Sequence, residues 1–162
     1  MDIWTEKLEQ RHIPTLRRWI RRSSGAMTPN DLPDAEEKLS QWFESCAAEP
    51  GRLDCLILVY ETPVGLAGLR RDCCRTGTAD LYLLLCEVGY NPLRTATYAT
   101  MRMLDRAFLD EGLARITIRV DRRHTEYLAA LERMGFSGEA EEDGKIRLAV
   151  EKDLFSSRKY LF

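Results

Sequence analysis

The stretch from Ala79 to Ala96 reads ADLYLLLCEVGYNPLRTA and joins two elements of different period. Its first seven residues are mostly apolar and predict a β-strand from Ala79 to Leu85. Apolar residues then return at helical spacing from Leu93 to Glu111, and Gly112 ends that pattern. A strand that leads into a helix N-terminus presents backbone N–H groups without intrahelical partners and the positive end of the helix dipole. The pattern therefore predicts either a site for an anion such as a phosphate or an ordinary strand–helix corner, and this stretch alone leaves both open.

Upstream of this stretch, the pattern predicts a strand and two helices. Ile3 to Leu8 predicts a short strand, and apolar residues from Ile13 to Ile20 recur at helical spacing until Ser23-Ser24-Gly25 ends the helix. A turn-rich loop from Met27 to Pro33 leads to a second helix, for which Asp34 is the predicted N-cap.

The next segment predicts a meander of three antiparallel strands. Leu53 to Tyr60 is an apolar run, Thr62-Pro63 predicts a turn, and Val64 to Arg71 predicts the return strand. A second turn, Cys73 to Gly77, leads into the strand Ala79 to Leu85.

Strands and helices alternate in the second half of the chain. After the long helix, Arg115 to Val120 alternates with period two and predicts a strand, and Thr125 to Met134 predicts a helix. A final hairpin starts at Phe136, turns at Glu142-Asp143-Gly144 and returns from Lys145 to Leu154. The order β-α-α-β-β-β-α-β-α-β-β predicts one α/β (α+β) domain over residues 1–162, with a mixed, mainly antiparallel sheet and helices on both faces.

Composition narrows the classes of function. The chain has 162 residues, 44% of them hydrophobic and 31% charged, which is typical of one globular domain and excludes a collagen-like or disordered chain. A net charge of −2 argues against a dedicated nucleic-acid binder. No apolar run approaches the roughly 18–20 residues that span a bilayer, and the N-terminus does not resemble a signal peptide. We therefore expect a soluble, cytoplasmic protein with neither a nucleic-acid nor a membrane partner.

Cysteines and histidines give no sign of a metal site. The five cysteines include an adjacent pair and no C-x-x-C, and the two histidines, His12 and His124, lie far apart in the sequence. An odd number of cysteines also argues against a disulfide framework. We expect small, partly buried cysteines in a reducing compartment and no bound metal.

Three segments resemble motifs of one enzyme family. The strand Ala79–Leu85 and the following Tyr90 fall in step with A-E-L-y-I-x-I and an aromatic-containing R/W-G-K-G-Y-G/A loop. Val120 to Phe136 has the spacing of V-x-x-x-N-x-x-S/A-I-x-x-x-E-K-x-G-F, and Pro63 to Leu69 resembles x-x-I-G-x-x-G-L. From about Ile3 to Phe155, the chain resembles the GCN5-related N-acetyltransferase (GNAT) superfamily, in particular its branch of ribosomal-protein and spermidine acetyltransferases.

This resemblance implies a reaction and a cofactor. The implied reaction transfers an acetyl group from acetyl-CoA (coenzyme A) to a primary amine of a small molecule or a peptide N-terminus, by direct attack on the thioester. The pantetheine arm of the cofactor is expected to pair with the strand backbone from Leu83 to Cys86, where a backbone N–H stabilises the oxyanion. The cofactor-binding residues that the resemblance implies are Leu84, Leu85, Cys86, Asn91, Leu93, Arg94, Thr95, Ala96 and His124.

The loop expected to bind the pyrophosphate departs from the family pattern. R/Q-x-x-G-x-G/A becomes NPLRTA at residues 91–96, where only Ala96 fits. Pro92 removes one N–H donor, and Arg94 places a large side chain where the family has none. Arg94 either turns outward and binds the phosphates by its charge or fills the cleft, and the second outcome would remove the cofactor site.

The reaction also requires a group that accepts the amine proton and a group that protonates the leaving thiolate. Asp80, where the family has Glu, and Glu87 are the candidates for the first role, and Asp80 has the alternative role of steering a cationic substrate. The tyrosine that serves as the acid elsewhere in the superfamily falls at Leu131. Tyr127 is therefore the candidate acid, with core packing as its alternative, and His124 is predicted to begin a helix rather than to act as a base.

A second class of function stays open. A GNAT fold that has lost catalysis would serve as a ligand-binding or protein-binding module, and the segment Asn91–Arg94 distinguishes the two: an enzyme must hold a pyrophosphate there. The acceptor groove is predicted between the loop Met27–Pro33 and the acidic turn Glu139–Asp143. A homodimer is the assembly that the resemblance leaves open.

Overall fold

One seven-stranded sheet organises the chain. The computed structural model describes residues 2–23, 33, 36–72 and 74–158. The strands are β1 (Ile3–Lys7), β2 (Arg52–Val59), β3 (Thr62–Arg71), β4 (Thr78–Leu85), β5 (Arg115–Asp121), β6 (Ser137–Glu142) and β7 (Lys145–Glu151). Their order is β1-β2-β3-β4-β5-β7-β6, and only β4 and β5 pair in parallel. The predicted mixed, mainly antiparallel sheet is confirmed.

Helices cover both faces of the sheet, as predicted. They are α1 (Ile13–Ser23), α2 (Leu39–Ala48), α3 (Pro92–Asp105), α4 (Thr125–Met134) and α5 (Lys152–Arg158). Side chains alternate between the faces along each strand, so Cys55 and Ile57 of β2 pack in one apolar core and Leu56 packs in the other. The first core holds α3 and α4, and the second holds α1 and α2. Among the described residues, no helix is long and apolar enough to cross a membrane.

Two arginines, Arg102 of α3 and Arg106 of the helical turn that follows it, form hydrogen bonds with the edge strand β1. The Nε of Arg102 donates to the Ile3 carbonyl at 3.1 Å, and Arg106 donates to the hydroxyl and the carbonyl of Thr5 at 2.8 and 2.6 Å. These contacts satisfy backbone acceptors of the edge strand β1. They also fix α3 across the sheet, so its N-terminus stays beside the end of β4.

The feature that creates a site is the divergence of β4 from β5. Their ladder runs from Thr78 opposite Arg115 to Leu81 opposite Ile118, and it stops there. Residues 82–85 of β4 continue to pair with β3 on the other side. The two central strands therefore open into a V, and its vertex lies at Leu81.

Two predicted boundaries were wrong. The first hairpin turns at Tyr60 and Glu61, because Tyr60 takes a φ of 55° there, and Pro63 lies within β3 beside a register shift. The strand predicted to reach Leu154 ends at Glu151, and α5 follows. The buried Phe155 packs on Phe108 with ring centroids 5.8 Å apart, so a tertiary contact favours this short helix.

A third boundary also differs: α2 begins at Leu39 with Lys38 as its N-cap, after a 3-10 turn, Glu36–Lys38. The other predicted elements match to within one or two residues, apart from the end of the long helix. After Asp105 it continues as a π-helical turn, Arg106–Asp110, and Gly112 with a φ of 65° ends it. Several predictions lie outside the described residues: the helix end at Ser24-Gly25, the loop over residues 27–32, the N-cap Asp34, and Cys73.

Candidate active site

A cleft of about 990 Å³ opens from the vertex between β4 and β5. Its lining comes from both faces of the sheet. Leu93, Ala96 and Tyr127 approach from the face that carries α3 and α4, whereas Trp42 and Asp80 line it from the face that carries α2. A passage open to both faces allows two ligands to meet at its centre.

The backbone of β4 beyond Leu81 faces this cleft at alternate residues. The Cys86 N–H donates to the Val64 carbonyl of β3 at 2.7 Å, and N–H directions alternate along a strand. The N–H and C=O groups of Leu83 and Leu85 therefore point toward β5, beyond the end of the ladder. They are available to an extended ligand that takes the place of the next strand.

The same alternation corrects two sequence predictions. Leu84 and Cys86 were predicted to bind the cofactor through their backbone, but the Leu84 backbone groups and the Cys86 N–H point to β3, and the Cys86 carbonyl accepts from Arg22 of α1 at 3.4 Å. The Leu84 carbonyl comes so close to β3 that a Cβ at Gly65 would lie 2.2 Å from it. The side chains of Leu84 and Cys86 pack in the α1–α2 core. Burial raises the pKa of the Cys86 thiol to about 12, so this thiol stays protonated at neutral pH.

The start of α3 holds fewer free N–H groups than a typical helix N-terminus. Asn91 is the N-cap: its Oδ1 accepts from the Arg94 N–H at 3.0 Å, and its carbonyl accepts from the Thr95 N–H at 3.0 Å. Pro92 has no N–H. Of the first-turn amides in the described chain, this leaves the Leu93 N–H without a partner. The buried Thr95 hydroxyl also has none, and it lines a small adjoining cavity of about 40 Å³.

Arg94 does not fill the cleft. Its guanidinium lies over the Tyr98 ring, 5.5 Å from the ring centroid, on the exposed side of α3. Leu93 and Ala96 line the cleft instead. Of the two predicted outcomes, the outward orientation is the one observed.

Asp80 lies one residue before the vertex. Its neighbours on the same face of β4 are Tyr82 and Leu84, which pack toward α2, so the Asp80 carboxylate also belongs to that side of the cleft. The Thr117 hydroxyl of β5 donates to Asp80 Oδ1. Asp80 thus lies where the two halves of the cleft meet, with one oxygen held by a neighbouring strand.

Glu87 lies away from the main cleft and is already paired. The Trp19 indole N–H and the Arg22 guanidinium both donate to its Oε1 at 2.7 Å. These two donors lower the pKa of Glu87. Its carboxylate joins α1 to the end of β4, and the structure does not bring it together with Asp80.

Tyr127 lines the cleft from the first turn of α4. Its hydroxyl lies 2.6 Å from Thr100 Oγ1, and Thr100 donates its own proton to the Ala96 carbonyl at 2.7 Å. Since Thr100 has only one proton to give, Tyr127 is the donor in their shared hydrogen bond. Burial raises the pKa of Tyr127 to about 12, which keeps the phenol protonated at neutral pH.

His124 begins α4, as predicted. Its backbone N–H donates to the Asp121 carbonyl at 3.0 Å, its side chain makes no cap, and it lines the cleft. Asp121 accepts from the backbone and the guanidinium of Arg123, and these contacts lower the pKa of Asp121 to about 2. No group of three or more potential metal ligands occurs among the described residues.

Several cleft-lining residues were not predicted from the sequence to belong to the site, among them Trp42, Arg119 and Lys145. The sequence held a signal for Arg119: it alternates with the apolar Ile118 and Val120, which places it on the opposite face of β5. Trp42 had no such signal, because its helical spacing predicts only core packing. Its indole N–H is buried without a partner among the described residues.

Comparison with known proteins identifies the class of this fold and cleft. The family model for the acetyltransferase (GNAT) domain matches residues 5–137, so the chain belongs to the GNAT acetyltransferase family. Enzymes of this family use acetyl-CoA as co-substrate, and membership of the family supports acetyl-CoA-dependent N-acetylation of an amine. A search of curated protein sequences finds no match.

Solved structures share the fold over nearly the whole chain. The mutant spermidine/spermine N-acetyltransferase SpeG from Vibrio cholerae superposes with a TM-score of 0.78 at 14% identity, covering 97% of this chain and 98% of that one. A dodecameric spermidine N-acetyltransferase from Vibrio cholerae gives 0.77 at 14% identity, covering 98% and 96%. At this identity the likeness concerns the fold.

Proposed function

We propose that the cleft holds acetyl-CoA on the α3–α4 side and a primary amine, of a small molecule or a peptide N-terminus, on the α2 side. The observation that carries this proposal is the V beyond Leu81, where the backbone of Leu83 and Leu85 faces an open cleft that reaches both faces of the sheet. An extended pantetheine arm fits such an unpaired strand edge. Acetyl-CoA supplies the acetyl group in an activated thioester.

The residues at the start of α3 suit the phosphates of acetyl-CoA in part. The Leu93 N–H is a donor at the helix N-terminus, where the dipole favours an anion. The unpartnered Thr95 hydroxyl is buried and faces the small adjoining cavity, so it reaches a phosphate only if that cavity opens toward the cleft. The Arg94 guanidinium adds a charge that can rotate from Tyr98 toward the phosphates, in place of the backbone donors that a glycine-rich loop provides. His124, at the start of α4, also lines the cleft.

Three groups then have separate roles in the acetyl transfer. The Leu83 N–H, directed into the V, is placed to donate to the acyl carbonyl oxygen. The Asp80 carboxylate, on the acceptor side, is the candidate that binds the amine and accepts its proton. The Tyr127 phenol, protonated at neutral pH, is the candidate that donates a proton to the departing sulfur once it leaves Thr100. Glu87 is proposed to hold α1 against β4 and not to take part.

One observation favours the alternative of a non-catalytic module. The Asn91 side chain accepts from the Arg94 N–H, which is one of the amides that would otherwise meet a phosphate, and Pro92 has no N–H to offer. One experiment separates the two functions: the melting temperature with and without millimolar acetyl-CoA, followed by thiol release in the presence of a panel of primary amines. An enzyme is stabilised by acetyl-CoA and releases CoA only when an amine is present. No stabilisation by acetyl-CoA would favour the alternative.

The assembly is a separate question. One similar structure is a dodecamer, and we propose that this chain also self-associates, with a homodimer as the smallest assembly. Size-exclusion chromatography with light scattering measures this directly, and a monomer at micromolar concentration would contradict it.

A further inference from the structure

The acceptor half of the cleft is the face of β4 and β5 that lies opposite α3. Ile118 and Val120 of β5 pack in the core with α3 and α4, so Thr117 and Arg119 point to the other face. Asp80 shares that face, since Thr117 donates to it. Arg119 lies two residues beyond Thr117, roughly 7 Å along the strand, and it lines the cleft.

Among the basic side chains that line the acceptor half, some already form an ion pair with a carboxylate and others do not. Arg70 makes two hydrogen bonds with Glu49, at 3.0 and 3.1 Å. The side chains of Arg119 and Lys145 line the same cleft and have no hydrogen bond or ion pair within the described part of the chain. Their charges are available to a ligand.

The sheet also places Arg119 beside a like charge. Arg119 is the register partner of Arg147 on the adjacent strand β7, and like charges directly opposite each other destabilise a sheet. Arg147 has a carboxylate, Glu139, at 4.0 Å, whereas Arg119 has none that contacts it among the described residues. An anion bound at Arg119 would relieve this repulsion.

A third donor faces the same space. The buried Trp42 indole N–H lacks a partner among the described residues, and Trp42 lines the cleft from α2. The two carboxylates of β4 and β5 that line this half already have partners, since Asp80 accepts from Thr117 and Asp121 accepts from Arg123. A buried donor is stabilised only when a ligand or water accepts from it.

We propose that the acceptor is a small primary amine that also carries a carboxylate a few bonds from its nitrogen. Its amine lies at Asp80 and its carboxylate at Arg119, with Lys145 and the Trp42 indole beside it. This inference rests on the proposed function and specifies its substrate class. It distinguishes the chain from its spermidine-acetylating structural neighbours, because spermidine is a polycation and would place positive charge next to Arg119. The acetyl-CoA phosphates do not compete for Arg119, since α3 lies on the other face.

The test measures CoA release at saturating acetyl-CoA with α- and ω-amino acids, their carboxamides and spermidine. We expect a kcat/KM at least tenfold higher for the best amino acid than for its carboxamide. Arg119→Gln should remove that preference by raising KM for the acid while leaving the carboxamide unchanged, and Arg119→Lys should restore part of it. Arg147→Gln is the matched control, because Arg147 lies on the same face outside the cleft, and it should leave the preference intact.

Four results would overturn the proposal. Carboxamides or spermidine could be acetylated as well as the acids, or Arg119→Gln could slow acids and carboxamides equally. A protein that acetyl-CoA stabilises but that acetylates no carboxylate-bearing amine refutes this substrate class alone. A protein that acetyl-CoA does not stabilise refutes the proposed function together with it.

Discussion

The hydrogen bond between Tyr127 and Thr100 permits a sharp test of the proposed acid. Tyr127→Phe and Thr100→Val both remove this 2.6 Å bond, but only the first removes the proton that the mechanism needs. In Tyr127→Phe, Thr100 still donates to the Ala96 carbonyl, so the cost in unfolding free energy should be about 1 kcal/mol. Thr100→Val leaves the buried phenol without its acceptor, and the cost should be about 1–3 kcal/mol.

The order of the two variants should be reversed for activity: Tyr127→Phe, which loses less stability, should lose more kcat. A positioned general acid contributes roughly 10²–10⁴-fold, so Tyr127→Phe should lower kcat by about that factor. Thr100→Val keeps the phenol in the cleft and should keep kcat within about threefold. The assay is steady-state CoA release at saturating substrates, with melting curves as the control; each kcal/mol should shift the melting temperature by roughly 2–4 °C. Equal loss of kcat in both variants, or full activity in Tyr127→Phe, would refute the role of Tyr127 as the acid.

The same phenol predicts a pH dependence. Burial raises the pKa of Tyr127 from its ordinary value of 10.0 to about 12. The stability that the buried, protonated phenol contributes is therefore fully present below pH 10 and is lost as the pH rises toward 12. The variant Tyr127→Phe should lack this alkaline loss of melting temperature, and an identical alkaline profile in both proteins would contradict the assignment.

Three other variants test the site. Asn91→Gly should lower the unfolding free energy by only a few tenths of a kcal/mol. Because it frees the Arg94 N–H for one more hydrogen bond of about 1 kcal/mol, it should also strengthen acetyl-CoA binding about fivefold. Weaker binding in a calorimetric titration would show that the Asn91 side chain itself contacts the phosphates. Glu87→Gln should leave kcat unchanged and lower the melting temperature at pH 7. Since pairing lowers the pKa of Glu87, the difference in melting temperature between variant and parent should vanish as the pH falls below 4.5, the ordinary pKa of a glutamate. A loss of kcat would show that Glu87 takes part in the reaction. Asp80→Asn keeps an acceptor for the Thr117 hydroxyl but removes the negative charge. It should lower kcat/KM at least tenfold in the same CoA-release assay. A variant as active as the parent protein would exclude Asp80 as the group that accepts the amine proton.

Much of the fold was predictable because local signals and tertiary packing agree. The helix Thr125–Met134 has the predicted bounds, and Gly135 ends it with a φ of 111°. The last hairpin turns at the predicted Asp143-Gly144, where φ is 52° and 75°. Helix α5 was missed although three charged residues, Glu151-Lys152-Asp153, end the apolar alternation of β7 where the helix begins. Its stability depends on a contact with Phe108, which no local pattern indicates.

The candidate site was less predictable, for physical reasons. The identity of the neighbouring strand decides which backbone groups of β4 face the cleft, so sequence could not separate Leu83 and Leu85 from Leu84 and Cys86. The partners of Glu87 are Trp19 and Arg22, more than sixty residues earlier in the chain, and their effect on its carboxylate emerges only in the fold. The contact of Arg94 with Tyr98, by contrast, was available from the sequence, because their i, i+4 spacing makes them neighbours on one face of the predicted helix.

The central claim is that acetyl-CoA occupies the V between β4 and β5. Amide hydrogen exchange of Leu83 and Leu85, followed by NMR with and without acetyl-CoA, tests it most directly. Both amides face the V beyond the ladder, so they should exchange rapidly in the free protein and become protected in the complex, while the Cys86 amide, which donates to Val64, should be protected in both states. Unchanged exchange at Leu83 and Leu85 in the presence of saturating acetyl-CoA would contradict the account.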